Sequence, residues 1–142
     1  MENKKRALLI PVLCLLCVLM FGVLNHFKEE PVFDVTLPTR NCNAEGSLEE
    51  PFFGWIQEPG QHIYYMRIEN TGETSVDAHV KSRFPFPGYV LTIRPGDTWE
   101  LAVENAIPST HTVTFETEEG TPSGTVEVWS IAQRFNKPPA DS

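Results

Sequence analysis

From Pro31 onward, apolar and polar residues alternate in short runs cut by turn residues. Phe33, Val35 and Leu37 alternate with Asp34 and Thr36. His62 to Glu69 places Tyr64, Met66 and Ile68 on one face and Ile63, Tyr65 and Arg67 on the other. Val76, Ala78 and Val80 alternate with Asp77, His79 and Lys81, the pattern of a half-buried strand. Tyr89, Leu91 and Ile93 follow the same rule. Trp99, Leu101 and Val103 oppose Glu100, Ala102 and Glu104, and Val113 and Phe115 oppose Thr112, Thr114 and Glu116. Val126 to Ala132 is apolar on both faces, which predicts a central or covered strand. Phe52 to Ile56 is a shorter apolar run. Thr39 to Glu50 is polar and irregular and reads as a loop.

Turn chemistry separates these runs. Pro59-Gly60 and Glu119 to Gly124 are breakers. Asn70-Thr71-Gly72-Glu73 is a turn because Asn and Gly tolerate positive φ. Arg94-Pro95-Gly96-Asp97 has Pro and Gly where a type II turn wants them. Up to eight strands at intervals of about 8–12 residues, with no helical stretch among them, predict an antiparallel β-sandwich, immunoglobulin-like in the broad sense, rather than a barrel. The sandwich is expected over residues 31–135 as one domain, followed by a disordered tail over 136–142.

The amino-terminal quarter differs. Lys4, Lys5 and Arg6 precede an uncharged stretch of 18 residues, Ala7 to Leu24, which as a helix covers roughly 27 Å, close to one bilayer core. A secretory signal has a shorter apolar middle of about 7–15 residues and a small-residue cleavage site. Gly22 to Phe27 offers no such site, so an uncleaved transmembrane signal-anchor is favoured over a cleaved signal peptide that would release a secreted domain. Residues 1–6 are then a cytoplasmic basic region, 7–24 the span and 25–30 a juxtamembrane linker. The basic flank stays inside and the carboxyl-terminal domain goes outside. Cys14 and Cys17 lie mid-run after leucines, which is wrong for a lipoprotein signal, and read as apolar membrane residues.

Tyr65-Met66-Arg67-Ile68-Glu69-Asn70-Thr71-Gly72, Ile93-Arg94-Pro95-Gly96-Asp97 and Gly124-Thr125-Val126-Glu127-Val128 together resemble the strand-turn units of small exported bacterial immunoglobulin-like β-sandwich proteins. The resemblance spans about residues 63–135. It implies a sandwich in the bacterial envelope and no catalytic residues. The run Phe84-Pro85-Phe86-Pro87-Gly88-Tyr89 departs from it.

Charge narrows the partners. The whole chain carries −8. Residues 25–142 hold eight Lys and Arg against eighteen Asp and Glu, a net −10, which speaks against nucleic acid and anionic surfaces. Three cysteines cannot frame a disulfide fold, and Cys42 is expected to be a free, unreactive thiol.

Catalytic and metal constellations are weak. Ser123 is out of register with a nucleophile elbow, and no helix follows it. His62, His79 and His111 lack ligand spacing and read as exposed strand-end residues. Glu116, Glu118 and Glu119 lack the Asp/Asn pattern of a calcium loop and read as a solvated surface. No cofactor and no metal is expected.

Arg83 to Tyr89 sets two Phe and one Tyr on a stiff Pro-rich segment, and rigid aromatics lose little entropy on binding. Phe84, Phe86 and Tyr89, with Trp55, are therefore the candidate binding residues. The function expected is a non-enzymatic, membrane-tethered extracytoplasmic module that binds an envelope protein. The alternative is a carbohydrate- or cell-wall-binding module in which the same aromatics stack on wall polysaccharide.

Overall fold

The computed structural model describes residues 2–26, 29–81, 88–104, 106 and 108–132. The expected tail and residues 82–87 lie outside them. Among the described residues there are one helix, α1 (Glu2–His26), and nine strands. These are β1 (Pro31–Phe33), β2 (Ala44–Ser47), β3 (Phe53–Ile56), β4 (Gln61–Asn70), β5 (Val76–Lys81), β6 (Tyr89–Ile93), β7 (Thr98–Val103), β8 (Thr110–Thr117) and β9 (Gly124–Ala132).

The strands form a sandwich-like pair of antiparallel sheets. One has the order β1-β7-β4-β9-β2 and the other β3-β8-β5-β6. The period-2 alternation assigns the faces. Tyr64, Met66 and Ile68 of β4 are fully buried, as are Val126 and Val128 of β9 beside them. Val76, Ala78 and Val80 of β5 and Val113 of β8 face them from the second sheet in the same core. Each such side chain removes apolar surface from water at about 25 cal/mol per Å2, so a one-residue slip of register would expose the whole set.

α1 contains Pro11. Every described side chain of the helix from Ala7 to Val23 is exposed. Among the described residues no helix is long and apolar enough to cross a membrane.

Three local expectations need correction. The first run stops as a strand at Phe33, because Asp34 takes a left-handed φ of 58°; Asp tolerates that region better than most residues, and it turns the chain off the sheet edge. Residues 44–47, read as loop, form β2. It has no apolar alternation, and its extended state comes from pairing with β9, with Gly46 opposite Val126. A Cβ on Gly46 would stand 2.6 Å from the Phe53 ring, so glycine here lets the two sheets approach. The Asn70 turn also works by another route. Asn70 and Gly72 are not among the positive-φ residues. Instead the buried Asn70 side chain donates to the carbonyls of Thr74 (2.8 Å) and Ile93 (3.0 Å) and accepts from the Gly72 amide (3.0 Å).

Other expectations hold. Arg94 to Asp97 closes with the Asp97 amide on the Arg94 carbonyl at 3.1 Å and Gly96 at φ 75°, as a type II turn requires. β9 is central, and its outer face is covered: Trp129 donates from Nε1 to the Arg40 carbonyl at 2.8 Å and is only 5% exposed.

Asn70→Ala would remove the hydrogen bonds to the buried Ile93 carbonyl, the partly buried Thr74 carbonyl and the Gly72 amide and should destabilise the fold by about 2–4 kcal/mol. Chemical denaturation of the variant checks this, and an unchanged midpoint would remove Asn70 as the lock on this turn.

Candidate functional site

The polar and aromatic groups that the sequence scatters converge at one end of the sandwich. β4 turns Tyr64 inward, and the register sets Ser130 of β9 directly opposite it. From the other sheet, β6 brings Tyr89, whose hydroxyl lies 2.7 Å from that of Tyr64. β3 and β8 bring Trp55 and His111 as Cα partners, with their rings stacked at 5.1 Å. Tyr64 meets Trp55 edge-on at 5.2 Å and His111 at 5.4 Å. Gln57, just beyond β3, donates to the Ile63 carbonyl at 3.2 Å. Glu29, ahead of β1, is 4% exposed at this end.

Burial dominates the electrostatics. It pushes the Tyr64 hydroxyl well above the usual tyrosine range; the Tyr89 hydroxyl beside it and then the Glu29 charge act in the same direction. Tyr89 is also raised, chiefly by burial. The hydrogen bond from Tyr64 opposes that shift and Glu29 adds to it. Both hydroxyls keep their protons through the neutral range, so they act as hydrogen-bonding groups rather than phenolate bases or nucleophiles. Trp55 Nε1, Gln57 Oε1 and Ser130 Oγ are buried with no hydrogen-bond partner among the described residues, a local cost of about 1–3 kcal/mol for each such group. This end is therefore polar, buried and less completely satisfied than the Asn70 end.

Of the candidate binding residues, Tyr89 belongs to this cluster, half-buried with its hydroxyl turned inward. Trp55 is 4% exposed and stacks between Phe53 and His111. A buried indole offers no face to a sugar, so Trp55 leaves the stacking platform. Phe84 and Phe86 lie outside the described residues.

His111 also moves from the surface to the core, at 2% exposure. Its signal was present in the sequence, because His111 shares the period of Val113 and Phe115. Nothing in the local pattern marked Glu29 or Ser130. The other two histidines stay nearer solvent: His62 is exposed, and His79 lies 3.6 Å from Glu116 with its side chain 36% exposed.

A second constellation lies on the outer face of the five-stranded sheet. The Arg67 guanidinium reaches Glu100 at 2.8 Å and Glu127 at 3.2 Å, and lies 5.8 Å from the centre of the Trp129 ring. Hydrogen bonding to Glu100 is the main cause that raises Arg67 above its ordinary range. Cys42, Glu45 and Glu127 bring their ligand atoms within 4.8 Å of one another, in an open cleft of about 500 Å3 that Arg40 also lines. Such a set could in principle take a thiophilic cation. Two features oppose it: Glu127 is already paired with Arg67, and burial followed by the two carboxylates holds the Cys42 thiol above its usual range. Cys42 is free.

Comparison with known proteins finds no matching protein family, no matching curated protein and no matching solved structure.

Two predictions follow from the polar end. A folded tyrosine with a raised pKa keeps its proton where the unfolded one has lost it, so stability present below about pH 10 should fall as the pH rises further. Tyr64 and Tyr89 are two of the three tyrosines. Absorbance titration should show both ionising only as the domain unfolds; ionisation in the folded state would contradict the buried pair. Ser130→Ala, which removes a buried hydroxyl lacking a partner, should raise stability by up to about 1 kcal/mol, and a lowered melting temperature would show that the hydroxyl is satisfied in solution.

Proposed function

We propose that this chain is a membrane-tethered, non-enzymatic module, immunoglobulin-like in the broad sense, that stands outside the cytoplasmic membrane. There it takes an extended segment of an envelope protein along the edge of β6. The observation that carries the reading is that edge. Among the described residues β6 pairs only with β5 and ends the four-stranded sheet. Val90 is 55% exposed on it, beside an open cleft of about 320 Å3 formed with His79, Lys81, Gly88 and Tyr89. An edge strand presents unpaired N–H and C=O groups to an incoming strand, and neighbouring clefts select its side chains. Phe84 and Phe86 lead into β6 along the chain.

The tether rests on the uncharged run Ala7 to Leu24 behind three basic residues. Leu8 at 70% and Phe21 at 69% exposure typify a helix whose apolar side chains lack cover, which supports their burial in lipid even though no described helix is by itself long and apolar enough to cross a membrane. The non-enzymatic reading is supported by where the reactive groups sit. Ser123 belongs to the connection between β8 and β9, His111 is stacked in the core, and both buried tyrosines hold their protons.

A photo-reactive residue replacing Val90 in the full chain should give one discrete protein adduct in native membranes, while the same group at Glu118 should give none. Val90→Lys, a charge that blunts edge pairing, should abolish capture of that partner at unchanged thermal stability. Equal adducts from both positions, or undiminished capture by Val90→Lys, would remove the β6 edge from the function.

A further inference from the structure

The chain connection between α1 and the sandwich restricts which surface meets the membrane. α1 ends at His26, and Glu29 follows three residues later, a reach of at most about 10–11 Å. Glu29 is 4% exposed and is seated among the groups around Tyr64 and Tyr89, whose hydroxyls feel its charge. β1 starts two residues on, with Pro31 opposite Val103. The described chain thus enters the sandwich at its polar end, at Glu29 and Pro31. β4 is ten residues long, so the opposite end lies roughly 33 Å away.

The two ends differ in surface. Ile56, next to Trp55, is 68% exposed, and Val32, next to Pro31, is 54% exposed. Among the described residues, this proximal end carries Glu30, Glu58 and Glu104 against Lys81. The distal turns carry exposed Glu49, Glu50, Glu73, Asp97, Glu118 and Glu119 against Arg94. The distal turns are the more acidic, and although Phe52 is 60% exposed after Glu49 and Glu50, that concentration of carboxylates suits them to water rather than to a lipid surface.

We infer that the sandwich stands end-on upon the bilayer, with the Glu29 end and the exposed Ile56 and Val32 against a zwitterionic headgroup layer and the acidic turns pointing away. This rests on the reading of α1 as a membrane anchor. Standing end-on, the module holds the β6 edge along the membrane normal, where it can pair with a membrane protein's segment as that segment leaves the bilayer.

The test uses the full chain in phosphatidylcholine vesicles that contain headgroup-nitroxide lipid. Cys14, Cys17 and Cys42 are replaced by Ser, and one fluorophore is placed through Ile56→Cys, His62→Cys, Glu73→Cys or Glu118→Cys, all exposed positions. Quenching is expected to be several-fold stronger from Ile56 and His62 than from Glu73 and Glu118. A twelve-residue Gly-Ser insertion between residues 27 and 28, with an end-to-end distance of about 20 Å, should shrink that difference. Vesicle flotation separates the two ways of failing. Protein that does not float overturns the anchor and the orientation with it. Protein that floats but is quenched equally at both ends overturns the orientation alone, and a difference undiminished by the insertion overturns the role of the short connection.

Discussion

The pairing of β4 with β7 on one side and β9 on the other is the constraint on which the rest of the molecule depends. β4 is the longest strand, and its inward side chains Tyr64, Met66, Ile68 and Asn70 are all fully buried. On its outer face Arg67 reaches across both neighbours, to Glu100 on β7 and Glu127 on β9. These ion pairs are partly exposed, and such pairs are worth little individually. Their contribution is to register more than to stability, since a one-residue slip would set Arg67 against the core.

β4 also carries a buried polar group at each end, and the two are handled differently. Asn70 uses its amide donors and its carbonyl to bind three backbone groups, so its polar atoms are satisfied within the distal turn and the adjoining strand. Tyr64 is satisfied by another side chain, Tyr89, across the space between the sheets. Groups near Tyr64, among them Ser130 Oγ and Trp55 Nε1, lack hydrogen-bond partners among the described residues. Natural sandwiches concentrate unsatisfied polarity where something other than core packing is being served. Here it coincides with the buried Glu29, where the described chain enters the sandwich.

The same end brings together several features that are remote in sequence. Glu29, the β6 edge and the end of β5 all meet there. An orientation set by Glu29 therefore also sets how β6 is presented. The chain's entry into the sandwich, the buried cluster and the start of the open β6 edge thus share one end of the domain. On the Arg67–Trp129 face, by contrast, Arg67 is paired with Glu100 and Glu127.

What the residues determined by themselves is the kind of structure and its faces. The alternation in Val76-Ala78-Val80 and Tyr64-Met66-Ile68 is a local property of period two, and it needs no partner to be read. The Arg94 to Asp97 turn is equally local, since Pro and Gly carry their dihedral preferences with them. The period His111 shares with Val113 and Phe115 points inward too, against the reading of His111 as an exposed strand-end residue, and the structure buries it. Tertiary structure alone decided the rest. Residues 44–47 are a strand only because β9 is beside them, and Trp55 is core only because β3 packs its ring on His111. Glu29, Tyr64, Tyr89 and Ser130 became one cluster through pairings between residues far apart along the chain. Such pairings are set by the packing of one sheet on another, which leaves no imprint on the pattern of any single strand.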